Sequence, residues 1–451
     1  MNFEDSSLYL EVKNIARNGA NPVFNLYSAQ IHLKDRDLDV IKIISIDIKR
    51  DYEMNYTDEM ILSVMLPFGK YAKRLYPERN NLEITIRCKP MLEMGGNEDT
   101  NKAPVLERYV AILMNQGNPL IEGDDSNIPS EDALDLSRLE TVDFQLIPKS
   151  VDQMRMKSVG GVYRGTTTED MVKTVVTRES QLLDLPKELL PEGVEMVPAN
   201  NKSKRDHIVI PHGTKLVNLP PYVQEKCGGI YSSGLGFYYQ DKHWYLFPLY
   251  NTERFEDSLA KVTIINVPGN KLGGIERTYR RDGDNVIILA TGEAQFKDIS
   301  DQQQLSQGNG VRFADASKFM DGFVQTKDNK TIAARGENVN EVMTVERASG
   351  HQNVHVSSSR ISSNAFKEYS ALAMRDGSLM NLLWENADPD LIFPGLPIKI
   401  LYMEDDQIRE LTGVVLKAHV YTHVKGQVMF SSTHHTNIAL SVFVNRKKIK
   451  I

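Results

Sequence analysis

The sequence predicts a β-rich α+β protein in which two β units flank a mixed middle region. Three observations lead there. Runs of alternating apolar residues occupy both ends of the chain, as in "DVIKIISIDIKRDYEMNYTDEMILSVMLP" and "LPIKILYMEDDQIRELTGVVLKAHVYTHV", and such alternation marks half-buried strands. Between them the texture changes at "GGVYRGTTTEDMVKTVVTRESQLL", where apolar residues recur at helical spacing. Finally, 451 residues exceed what one hydrophobic core supports, so several domains are expected.

The first unit, residues 1–150, begins its regular pattern with Ile44, Ile46 and Ile48 on one strand. Ile61, Leu62, Val64 and Leu66 mark the next strand, across the polar "DYEMNYTDE". "FGKYAKRLYP" has the spacing of a short helix closed by Pro77, and "LEITIRCKP" resumes a strand with Leu82, Ile84 and Ile86 on one face. Two further strands, "VLERYVAILMN" and "TVDFQLIP", enclose the acidic "IEGDDSNIPSEDALDLSRLE". Its carboxylates lack the alternation of an EF-hand loop, so it reads as a solvated loop.

Residues 151–320 form the mixed middle. Thr166 and Glu169 have capping-box spacing ahead of Met171, Val172, Val175 and Val176, which places a helix start there. A short helix is expected near Val217–Glu225, then strands through "GFYYQDKHWYLFPLY". Asp282-Gly283 lies between two β-rich runs and predicts a hairpin. Residues 321–366 are polar and nearly free of apolar runs, as an extended connector would be. The last unit, residues 367–451, ends in a long hairpin turning near Lys425 and Gly426.

Composition limits the function classes. The chain is 41% hydrophobic and 25% charged, with a mean hydropathy of -0.36, and no run approaches the roughly 20 apolar residues that cross a bilayer. The acidic, interrupted "MNFEDSSLYLEVKNIARNGA" does not resemble an export signal, which makes the cytoplasm the expected site of synthesis and assembly. Cys88 and Cys227 are the only cysteines, too few for a disulfide framework or a zinc ribbon. A net charge of -7 argues against a domain whose main task is to neutralise phosphate.

No motif of catalysis stands out. A two-residue turn at Lys425-Gly426 would set Val424 opposite Gln427, placing His419, His423 and His434 on one face of the hairpin and His435 on the other. A metal-dependent hydrolase would use His419, His423 or His434, of which His419 and His434 would be diagonal neighbours able to supply two ligands. A third ligand partner is missing, however, and "HVYTH" lacks the glutamate and helix of a zincin, so a histidine-bearing strand is the expected reading. "GLGFYY", "GNKLGG" and "GNGVR" fit neither a phosphate loop nor a dinucleotide fingerprint. Trp244 and its aromatic neighbours could form a carbohydrate platform, but a strand so patterned is expected to be core. No catalytic residue, metal ligand or cofactor is therefore assigned.

The final unit, "FPGLPIKILYMEDDQIRELTGVVLKAHVYTH" followed by "THHTNIALSVFVN", resembles the terminal barrel of bacteriophage tail or baseplate hub proteins. The central "GGIYSSGLGFYYQDKHWYLFPLYNTERF" and "QGNGVR" are similar to the middle domains of that family, which is related to the hub part of type VI secretion spike proteins. The resemblance implies two tail-tube-like β-barrel domains flanking mixed α/β middle domains. It also implies a homotrimer that joins a sixfold tail tube to a threefold central spike. The implied partners are the tail tube protein, a separate spike or tip protein, and tape measure and baseplate wedge proteins. DNA would pass only transiently through the lumen, where an acidic surface would keep it from adhering. The implied place is the virion tail, assembled in the host cytoplasm.

Overall fold

The computed structural model describes residues 3–91, 105–114, 139–292, 377–424 and 433–445, the strands at 297–298, 322–327, 330–335 and 343–346, and short pieces at 370 and 373–374. The acidic stretch between "VLERYVAILMN" and "TVDFQLIP", "QGNGVR" and the tip of the last hairpin lie outside these residues. The protein is a β-rich α+β chain, as expected from its two alternating ends and its helical middle.

Helix α1 (Ser7–Asn18) starts at Ser6, whose hydroxyl accepts from the Tyr9 amide. The chain then builds β1 (Phe24–His32), β2 (Asp37–Asp39), β3 (Lys42–Asp51), β4 (Glu59–Pro67), β5 (Glu83–Met91), β6 (Val105–Leu113) and β7 (Leu139–Pro148). Alternate residues of β4, namely Met60, Leu62, Val64 and Leu66, are buried. On β3 the pattern slips: a bulge between Ile43 and Ser45 turns Ile43 inward rather than Ile44, because one extra residue reverses the faces of a strand. "FGKYAKRLYP" forms a single π turn over Tyr71–Leu75 that runs into a 3-10 turn over Tyr76–Glu78.

The middle comprises α2 (Lys149–Met156), β8 (Ser158–Thr166), α3 (Thr168–Gln181), β9 (Gly193–Met196), β10 (Arg205–Lys215), α4 (Leu219–Lys226), β11 (Leu235–Gln240) and β12 (His243–Pro248). Helix α3 buries Met171, Val172, Val175 and Val176 as its spacing predicts. Its cap is Thr167 with Asp170, one residue later than Thr166 with Glu169: the Thr167 hydroxyl accepts from the Asp170 amide at 3.1 Å. The shift has a tertiary cause, since Thr168 is fully buried and donates its hydroxyl to the Gly229 carbonyl.

The rest of the chain forms β13 (Lys261–Asn266), α5 (Gly269–Leu272), β14 (Tyr279–Asp282), β15 (Asn285–Ala290), β16 (Lys297–Asp298), β17 (Gly322–Lys327), β18 (Lys330–Arg335), β19 (Met343–Glu346), β20 (Ser378–Trp384), β21 (Pro397–Glu404), β22 (Gln407–Val424) and β23 (Thr433–Val444). Within the stretch expected to be an extended connector, β17, β18 and β19 pair as an antiparallel sheet. The hairpin at Asp282-Gly283 forms, with Gly283 and Asp284 between the paired ends and Gly283 alone at positive φ. Two other hairpins turn without glycine, on Asp241-Lys242 and on Asp405-Asp406. All four residues adopt left-handed φ between 48 and 61°, the geometry of a type I′ turn.

Strand pairing closes two rings. In the first, β3, β4, β7, β6, β5, β1, β23 and β22 succeed one another as antiparallel neighbours, and β22 returns to β3. In the second, β15, β13, β21, β22, β23 and β20 follow in order, closed by a bridge between Thr291 and Leu383. The first barrel fills with Ile31, Leu62, Ile84, Phe144 and their neighbours, and the second with Ile264, Ile288, Trp384, Ile400 and Val442.

The β22–β23 hairpin belongs to both rings. At ~3.3 Å per residue, the 18-residue β22 is long enough to cross one barrel and enter the next. Its N-terminal half pairs with β21 and its C-terminal half with β3. The change comes at a bulge between Val415 and Lys417, where an added residue bends the strand and increases its twist. Beside the bulge, a Cβ on Gly413 would stand 2.5 Å from the Phe443 carbonyl oxygen, so the strands approach there only because that side chain is absent.

Candidate functional site

The hairpin histidines are arranged differently from the expected register. His423 pairs directly with His435 and Val424 with His434, so the strands are offset by several residues from a turn at Lys425-Gly426. His419, Tyr421, His423 and His435 therefore share the outer face, while His434 points inward. The His419 Nε2 lies 2.5 Å from Asp47 Oδ1 across β3. The rings of His423 and His435 sit with centroids 3.9 Å apart, and Tyr421 stacks on His423 at 4.8 Å. Burial holds the His423 imidazole below its ordinary value. His434 is buried, its Nε2 3.0 Å from the Ile43 carbonyl and its ring edge-on to Tyr27. His419, His423 and His434, expected on one face, are thus split between two. Among the described residues no three metal-binding side chains come together.

Trp244 is completely buried, stacked on Phe237 at 4.4 Å in the core of the middle region. It fills the space between α3, α4 and β12 and offers no platform to a sugar.

The densest polar constellation lies where the two barrels and the middle region meet. Arg50 ends the inward row of β3, beyond Ile46 and Ile48, and its Nε stands 3.4 Å from Asp58 Oδ2 at the start of β4. Tyr238 of β11 donates to Asp58 Oδ1 at 2.8 Å. Gln240 of β11 donates to the Ile392 carbonyl at 2.9 Å and accepts from Tyr52 at 3.3 Å. Arg50 Nη1 also points to the Ile392 carbonyl, at 3.4 Å. Each side chain thus links strands from a different part of the sequence. Burial works against the Arg50 charge, yet Asp58 and the surrounding oxygens hold the guanidinium firmly protonated. Burial pushes the Asp58 carboxyl up despite Arg50 and Tyr238.

Beside this network lies a partly open pocket of about 500 Å³ between the first barrel and the middle region, lined by Tyr27, Ile48, Asp58, Glu107, Tyr109 and Gln240 among others. Tyr109 donates to Glu107. Burial raises the Glu107 carboxyl, and the carboxylates of Asp241 and Asp58 raise it further against the Tyr109 hydrogen bond. The hydrogen bonds from Tyr238 to Asp58, and from Gln240 and Arg50 to the Ile392 carbonyl, join residues from separate parts of the sequence. The sequence reading missed Arg50 and Asp58. The available signal was their position, since each sits in register with apolar residues that face the core.

No protein-family model matches the sequence, and no curated protein matches it. Solved structures do. The chain is similar to phage tail proteins. The tail protein from Neisseria meningitidis MC58 matches at 11% identity with a TM-score of 0.44, covering 92% of this chain and 96% of that one. The 43 kDa tail protein of prophage MuSo2 from Shewanella oneidensis matches at 9% identity with a TM-score of 0.43, over the same shares. A type VI secretion system component of E. coli matches at 6% identity with a TM-score of 0.35, covering 94% of this chain and 75% of its own.

Proposed function

We propose that this chain is a structural protein of a phage tail or baseplate, acting as a homotrimeric hub between a sixfold tail tube and a threefold central spike. The observation that carries the reading is the pair of closed barrels in one chain, fused through a shared hairpin. Three copies around an axis present six barrels on one side while keeping threefold symmetry on the other. A symmetry adaptor also has to hold its two barrels at a fixed angle. The hairpin common to both rings and the Arg50–Asp58–Gln240 network serve that purpose.

The reading places the chain in the virion tail, assembled in the host cytoplasm beside tube, spike, tape measure and wedge proteins, with DNA passing through an acidic lumen. Its role is mechanical, with no catalytic step. Light scattering on the purified chain, alone and with its spike partner, tests it: the expected mass is three times 51.0 kDa. A monomer in both conditions at every concentration overturns the proposal.

A further inference from the structure

Strands β8 and β10 form a ribbon that pairs with no other strand among the described residues. Its inner face, Val159, Ile208 and Ile210, is buried in the core of the middle region. Its outer face carries Val162 directly opposite Val209, and the two are 54% and 56% exposed. Around this apolar pair stand Arg164 opposite His207, and Arg205 opposite Thr166, with Lys204 just before the strand. Among the described residues no carboxylate forms an ion pair with Arg164, Lys204 or Arg205, and Asp206 is the one acidic residue of the two strands. A basic ribbon with two open edges and an apolar centre thus projects from a chain of net charge -7.

Two open edges and an apolar face suit an extended peptide, which adds main-chain hydrogen bonds along a strand while its side chains meet the exposed ones. The complementary chemistry occurs in residues 115–138 of this same chain, which hold Glu122, Asp124, Asp125, Glu131, Asp132 and Asp135 against Arg138, with Leu134 and Leu136 among the carboxylates. We propose that the β8–β10 ribbon docks this acidic segment from a second copy of the chain, an inference that rests on the self-assembling hub reading.

The segment leaves the barrel at Met114, beside Asp143 of β7, and rejoins it at Leu139. The ribbon follows α2 from the Pro148 end of β7, about 30 Å from Leu139. The self-assembling hub selects the ribbon of a second copy over that of the same chain, and crosslinks between differently labelled copies separate the two.

The experiment uses the full chain with a photo-crosslinking residue in place of Val209, in an equal mixture of isotopically light and heavy protein. Crosslinked light–heavy peptides joining position 209 to residues 115–138 are expected. R164E/R205E should raise the concentration needed for association about tenfold, and adding E131K/D132K should restore it. Association with crosslinks elsewhere, or with R164E/R205E unaffected, overturns the docking inference and leaves the hub reading standing. Light–light and heavy–heavy crosslinks alone overturn it in favour of contact within one chain. Retarded DNA migration that is lost in R164E/R205E, without the expected crosslink, assigns the ribbon to nucleic acid instead. A monomer throughout overturns the inference and the hub reading together.

Discussion

Arg50 and Asp58 face one another at 3.4 Å where three parts of the chain meet, their side chains only 7% and 16% exposed. Deleting one member leaves the other buried without its counter-charge, which typically costs about 3–5 kcal/mol. Asp58→Ala is expected to lower stability by that order, and Arg50→Met/Asp58→Leu together by much less. Urea unfolding of the two variants decides the point; equal losses would mean that the cost lies in losing the pair's own contacts rather than in an orphaned buried charge.

Glu107 provides a pH test. Its folded carboxyl binds a proton more readily than the unfolded one, because burial raises it. Above the ordinary glutamate value the folded state holds more protons until its own raised value is passed, so this residue's contribution weakens stability as pH rises from the one to the other. Glu107→Gln should melt higher than the parent at pH 7, with the gap closing as the pH falls to about 4. A gap that widens on acidification would contradict the assignment.

His423 acts in the opposite sense. Burial lowers its imidazole, so on acidification the unfolded chain takes up a proton that the folded hairpin resists. Stability is fully present above the ordinary histidine value and declines as pH drops through it towards the lowered value of the folded state. Nuclear magnetic resonance of the ring protons should show His423 titrating below about 6.5, and His423→Gln should reduce the acid loss of stability.

The two tryptophans report on different parts of the molecule. Trp244 lies in the middle region and Trp384 in the second barrel, both fully buried, so folded emission should be blue-shifted. Trp384 Nε1 donates to Thr278 Oγ1 at 3.0 Å. Thr278→Val leaves that donor unsatisfied and should cost about 1–3 kcal/mol. In a Trp244→Phe background, Trp384 fluorescence should show the loss as an earlier unfolding midpoint. An unchanged midpoint would indicate that the indole finds another acceptor.

The sequence by itself determined the local units of this protein. Alternation in "MILSVML" placed β4, helical spacing placed α3, and Asp282-Gly283 placed a hairpin, because each depends on neighbours a few residues apart. It also marked Trp244 as core, and the side chain is fully buried. Tertiary structure decided what connects. A hairpin formed by His423 pairing with His435 cannot be registered from a sequence whose turn residues suggest Lys425-Gly426, since a slip changes which face each side chain occupies. Nor does any local pattern announce that β22 serves two barrels, or that Arg50 of β3 meets Asp58, Tyr238 and the Ile392 carbonyl. Apart from Arg50 with Asp58, those contacts join residues far apart in the chain, 342 positions for Arg50 with Ile392 and 180 for Tyr238 with Asp58, so they exist only once the chain has folded.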